Sequence, residues 1–195
     1  MDKKMMAGGL LALLATSMPI SALAVDGYSV DGMHGELNIH GVLTESACRL
    51  DMTSAWQDVD MGSLATGKLQ RPGDSGTPVP VTFRLQDCLS SSSRTRDMRT
   101  GNMLWSRTSP SVTVRFTAPA DGTNPALVRV SGAEGVALKL TDSAGRDVRL
   151  NDRGAPLLLT PGQNALNYQL TPVRTSAPLL AGAWQALISV GLSYD

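Results

Sequence analysis

The stretch Gly182-Ala-Trp-Gln-Ala-Leu-Ile-Ser-Val-Gly-Leu-Ser-Tyr-Asp195 carries the reading of the fold. From Trp184 to Tyr194 every even position is apolar: Trp184, Ala186, Ile188, Val190, Leu192 and Tyr194. Side chains alternate faces along a β-strand, so these six share one face. The odd positions Gln185, Ser189, Gly191 and Ser193 make the opposite face polar or small, with Ala183 and Leu187 as exceptions. The pattern predicts a strand with one strongly apolar face, and no turn or partner strand follows it in the sequence. Such a strand is an aggregation hazard unless another strand covers it. The expectation is a partner supplied from elsewhere.

The opposite end reads as a secretory signal. Lys3 and Lys4 give a positive start, residues 7–15 form a short uncharged apolar core, and Ala22-Leu23-Ala24 fits a small-x-small cleavage site. The apolar run is too short for a membrane span, and Pro19 and Ser21 close it. No later segment approaches the ~20 apolar residues of a transmembrane helix. Removing 24 of the 195 residues leaves 171, enough for one domain with its own core. The removal takes away two of the 17 basic and one of the 17 acidic side chains, leaving a formal charge of −1. That balance points to neither nucleic acid nor an anionic membrane surface. Cys48 and Cys88 both lie in the exported part, and an even pair behind a signal segment is expected to form a disulfide.

Between the ends the chain is punctuated into short strands. Alternation begins at Gly35 with Leu37, Ile39 and Val42-Leu43, and residues 49–52 continue as a second short strand. Residues 59–62 alternate briefly, and residues 67–80 are rich in Gly, Pro, Ser and Thr and read as a loop. Val79, Val81, Phe83 and Leu85 share one face of a strand leading into Cys88. Residues 90–110 are polar, carry Arg94, Arg96, Arg99 and Arg107, and read as a solvated loop with an interaction role as the second reading. Residues 112–116, 126–130, 136–140, 146–150, 157–159 and 165–170 are each β-like. The total is eight to ten short strands and no convincing amphipathic helix, which predicts an antiparallel sandwich or barrel.

Catalytic and metal chemistry find little purchase. His34 and His40 are the only histidines, without carboxylates or cysteines at ligand spacing, and both read as strand residues. No nucleophile-elbow pattern is present, so the chain reads as non-enzymatic. No cofactor is expected. A porin-like barrel would need longer strands and aromatic girdles, whereas this chain has three Trp, three Tyr and two Phe.

Several features together resemble the chaperone–usher fimbrial (pilus) subunits of Gram-negative bacteria, type 1 pilin-like. They are Gly41 seven residues before Cys48, the segment from Val59-Asp-Met-Gly62 through Phe83-Arg-Leu85 to Gln86-Asp-Cys88, and Ala165-Leu-Asn-Tyr168. The terminal strand adds a penultimate tyrosine, Tyr194, and a glycine fourteen from the end, Gly182. The resemblance covers essentially the whole mature chain. It implies an all-β, incomplete immunoglobulin-like sandwich lacking its last strand, with an N-terminal donor-strand extension. Residues 1–24 would be the signal peptide, 25–38 the extension and 39–195 the pilin domain. Gly182, Trp184, Ala186, Ile188, Val190, Leu192 and Tyr194 would form the groove strand that a periplasmic chaperone covers first. At the outer-membrane usher, the extension of a neighbouring subunit would then take its place. Met33, Gly35, Leu37 and Ile39 would be this chain's own donor strand; Val30 and Tyr28 fall out of that register. The implied role is a structural subunit exported through the periplasm to a surface fimbrium and contributing to adhesion, as a minor or adaptor subunit. The alternatives are a major shaft pilin or, less in keeping with a single domain, a tip adhesin binding host glycans.

Overall fold

The strict alternation of residues 79–85 becomes the strand β2 (Val79–Cys88), with Val81, Phe83, Leu85 and Cys88 buried and Arg84 and Asp87 exposed. This is seen in a computed structural model that describes residues 37–41 and 46–195. Along β2 run the short β1 (Arg49–Leu50) on one side and the long β9 (Gly162–Arg174) on the other. Beyond β9 lie β7 (Val136–Asp142) and β6 (Val128–Arg129), giving a five-stranded antiparallel sheet of order β1-β2-β9-β7-β6. A second sheet holds β10 (Ser189–Tyr194), β5 (Ser111–Thr117) and β8 (Leu157–Leu158), in that order. β3 (Ser93–Arg96) and β4 (Met103–Ser106) form a separate hairpin.

The inward residues of the two sheets meet in a main core cluster. Phe83 of β2, Tyr168 of β9 and Phe116 of β5 pack as a tilted aromatic cluster, with Phe116 and Tyr168 edge-on at 4.7 Å between centroids. Around them lie Val81, Leu85, Val112, Val114, Leu140, Leu166 and Leu170. The expected disulfide is formed: Cys48 and Cys88 are both buried and bonded, joining the start of the sandwich to the end of β2. The result is the all-β, immunoglobulin-like sandwich expected, with β10 at the edge of its sheet.

The details depart from the sequence reading in several places. Residues 90–110 are the β3–β4 hairpin rather than a loop. Its inward positions are Ser93 and Thr95, whose hydroxyls bond the Ser109 carbonyl and the Ser111 hydroxyl, so the face buried against β5 is polar and hydropathy cannot mark it. The short strand expected over residues 49–52 stops at Leu50, and Met52–Ala55 form a single turn of helix, α1. Asp51 caps it by accepting from the Thr53 N–H, and the Ser54 hydroxyl accepts from the Arg84 N–H. One turn is too short to leave a helical period in the sequence. Residues 146–150 form no strand, only isolated bridges of Asp147 to Thr141 and Leu150 to Phe116. Residues 59–62 likewise form none, although Val59 and Met61 pack against the core.

The compact β unit comprises Thr44–Asp195 and is preceded by a unit over Met1–Leu43. Of the latter, residues 37–41 are described and carry no regular structure, with Leu37 81% and Ile39 84% exposed. The expected first strand is therefore not seen at 37–41, and 42–45 lie outside the described residues. So do the expected signal, residues 1–24, and the extension as far as residue 36, with Met33 and Gly35.

Two outcomes are expected. Replacing both Cys48 and Cys88 by Ala should lower stability by about 4 kcal/mol from the lost closure of a loop spanning 40 residues, measured by urea unfolding. Burial, helped by the Asp142 charge, pushes the Tyr168 phenol up to about 12. The unfolded chain therefore loses that proton first, near pH 10. Stability from this group is complete below pH 10 and is lost as pH rises toward 12, which alkaline unfolding followed by tyrosinate absorbance would show.

Candidate functional site

The terminal stretch does not run as one strand. Its first part belongs to the five-stranded sheet's end of the molecule: Leu180 and Gln185 exchange main-chain hydrogen bonds with Glu134 and Ser131, beside the β6–β7 turn. Arg174 holds the approach to this segment, its Nη1 donating to the carbonyls of Gly135, Thr175 and Ala177. Gly182 sits where this crossing is tightest. A Cβ built on it would fall inside 3.0 Å of the Gly132 carbonyl oxygen, and one on Gly132 would strike the Ala183 carbonyl. Only at Ser189 does the chain enter β10 and pair with β5, from Ser189–Thr117 to Tyr194–Val112. Gly182 thus lies outside β10, where the chain crosses between the sheets, and Ala186 is exposed.

The register of β10 fixes which of its main-chain groups are used. Asp195 and Ser111 exchange N–H···O bonds of 3.1 and 3.3 Å. In an antiparallel ladder such pairs alternate, so Ser193, Gly191 and Ser189 also bond β5. The other side of β5 agrees: the Val114 and Phe116 carbonyls face away from β10, accepting from the Gly154 and Asn151 N–H groups. The N–H and C=O groups of Val190, Leu192 and Tyr194 therefore point to the opposite edge. No strand among the described residues pairs with that edge.

The same three residues are incompletely covered. Val190, Leu192 and Tyr194, with Ile188, pack against the main core yet stay only half-buried, whereas Val112, Val114 and Phe116 beside them are fully buried. Trp184 and Ile188 border a second cluster of Ala118, Val128, Val130 and Leu138. Leu50, Val59, Met61, Val148 and Leu150 are half-buried against the main cluster as well. Sequence reasoning saw the alternation at 59–61 but did not assign it to the site, because its partners come from strands remote in sequence. Tyr194 adds an unmet valence: its hydroxyl is buried without a hydrogen-bond partner, and burial raises its pKa. The site thus offers three N–H donors, three carbonyl acceptors and a row of half-covered apolar side chains in one line. An extended chain with alternating apolar residues satisfies all of them.

Among the described residues no group of His, Cys, Asp and Glu could hold a metal ion, and no helix is long and apolar enough to cross a membrane. Residues 36–195 match the family described as "Fimbrial protein". The "PRS fimbrial minor pilin protein" of Escherichia coli is 31% identical over 162 residues, covering 83% of this chain and 77% of that protein. The "Probable major fimbrial subunit LpfA" of Escherichia coli O157:H7 is 26% identical, covering 86% and 88%. The crystal structure of the P pilus rod subunit PapA superposes with a TM-score of 0.62 at 21% identity, over 77% of this chain and all of that one. The chain belongs to the fimbrial protein family, whose members are structural components of fimbriae and not enzymes.

Gly182→Val should destabilise the chain by about 2 kcal/mol, since backbone rather than a movable side chain opposes the added atoms. Gly191→Ala, facing open space on β10, should change stability by less than about 0.5 kcal/mol. Chemical unfolding of the two variants checks the contrast; equal effects would remove the crossing-point account of Gly182.

Proposed function

We propose that this chain is a subunit of a chaperone–usher fimbria that assembles by donor-strand exchange through the free edge of β10. The observation that carries the reading is that Val190, Leu192 and Tyr194 present unused main-chain groups and half-covered side chains along the same edge. Pilin complementation by a lent strand is a known instance of strand addition to a sheet edge. In this reading a periplasmic chaperone lends the first strand. At the outer-membrane usher, the extension of the next subunit replaces it and covers large apolar side chains worth roughly 1.5–3 kcal/mol each. The chain's own extension, with Met33, Gly35, Leu37 and Ile39 at a spacing of two, fills a neighbour's groove. The exposure of Leu37 and Ile39 supports this, because large apolar side chains left in water favour a cover. Such a head-to-tail contact builds an open filament. Residues 1–24 direct export to the periplasm.

A minor or adaptor position is favoured by the relative at 31% identity, itself a minor pilin. A major shaft position is the second reading, favoured by the relative at 26% that is described as a probable major subunit.

Deleting residues 25–37 should leave capture by the chaperone intact and abolish incorporation beneath another subunit, scored by co-purification and by the fimbrial fraction. Leu192→Asp should do the reverse at the first step, greatly reducing recovery of the chaperone complex. A good yield of soluble monomer without any chaperone would sink the open-edge reading.

A further inference from the structure

The open edge leaves the β3–β4 hairpin without a role. Its two faces divide sharply. Ser93 and Thr95 point inward and are bonded to residues 109 and 111, while Arg94 and Arg96 point outward. Across the hairpin Arg94 pairs with Trp105 and Arg96 with Met103, which sets each guanidinium-bearing residue directly opposite an exposed apolar one. Trp105 is 65% exposed, and Met98 stands out from the connecting turn. An open concavity of about 390 Å³ is lined by Ser93, Arg94, Met103 and Trp105.

The charges on this face are uncommitted. Residues 90–110 hold four arginines, Arg94, Arg96, Arg99 and Arg107, and one acid, Asp97. Asp97 is occupied by its own turn, accepting from the Arg99 N–H and the Thr100 hydroxyl. None of the four arginines takes part in an ion pair among the described residues, and Arg96 Nε is directed to the Gly101 carbonyl. The hairpin is therefore a cationic surface with a tryptophan at its middle, on a chain of zero formal charge.

We propose that the outer face of the β3–β4 hairpin binds a carboxylate-bearing polysaccharide, with Trp105 as the stacking surface and Arg94 and Arg96 as the carboxylate receptors. A guanidinium fork matches a carboxylate in two hydrogen bonds, and an indole face takes the apolar C–H face of a sugar ring. Arg94, Arg96, Met103 and Trp105 all stand on the exposed face of the hairpin rather than along a strand edge. That favours a saccharide over an acidic peptide, since an extended peptide gains its main-chain bonds at an edge.

Affinity electrophoresis of the exported full chain against polygalacturonate tests this, with methyl-esterified polygalacturonate and poly-glutamate as the other probes. The expected result is retardation by polygalacturonate alone. Trp105→Ala and the double variant Arg94→Gln, Arg96→Gln should each weaken it about tenfold or more. Both variants alter exposed positions, and their melting temperatures should match the parent. Three outcomes would overturn the proposal. They are no retardation by polygalacturonate, equal retardation of parent and Trp105→Ala (a purely electrostatic contact), and tighter binding of poly-glutamate (an acidic protein partner). If Trp105→Ala melts early, Trp105→Phe with the arginine variant decides: retention by Phe and loss by the arginine variant support the site, and any other pattern refutes it.

Discussion

Three residues on one strand carry an unmet hydrogen-bonding requirement. β10 turns the N–H and C=O groups of Val190, Leu192 and Tyr194 toward an edge without a partner among the described residues, which an added strand can pair. The side chains of the same residues reach into the core and remain half-covered. Both deficits lie along one line because a strand's side chains and main-chain groups share one two-residue repeat. A covering strand therefore satisfies both together.

The rest of the sandwich serves to hold that edge in place. β5 is buried on its inner face by the aromatic cluster, and at the start of its outer face Ser111 bonds the Thr95 hydroxyl of the β3–β4 hairpin. The disulfide ties the segment before β1 to the end of β2. The contact of Gly182 with Gly132 lets the chain cross from one sheet to the other before β10 begins. A side chain at that crossing would displace the start of the strand whose edge matters.

Different residues of the terminal stretch therefore answer to different constraints. Gly182 answers to backbone proximity, Trp184 and Ile188 to the second apolar cluster, and Val190, Leu192 and Tyr194 to the open edge. The apolar period runs through nearly all of them without distinguishing these roles. The hairpin shows the converse. Its alternation of buried and exposed residues is as regular as that of β2, but the buried positions are Ser93 and Thr95, which bond to neighbours rather than to water. Polar residues satisfied in this way leave no apolar signature.

The sequence by itself determined the β class, the disulfide pair, the long strands β2, β5, β7 and β9, and an apolar terminal strand, read over residues 184–194 and formed over Ser189–Tyr194. Each rests on local information: period-two alternation, turn residues, or a cysteine pair behind a signal-like N-terminal pattern. Only the tertiary structure decided that residues 180–185 bond to the β6–β7 turn, that residues 90–110 fold as a hairpin, and which main-chain groups of β10 are free. Those outcomes depend on which residues pair, from Arg96 with Met103 across the hairpin to Ser111 with Asp195, 84 positions apart. A periodicity along one strand carries no record of which partner its other edge meets.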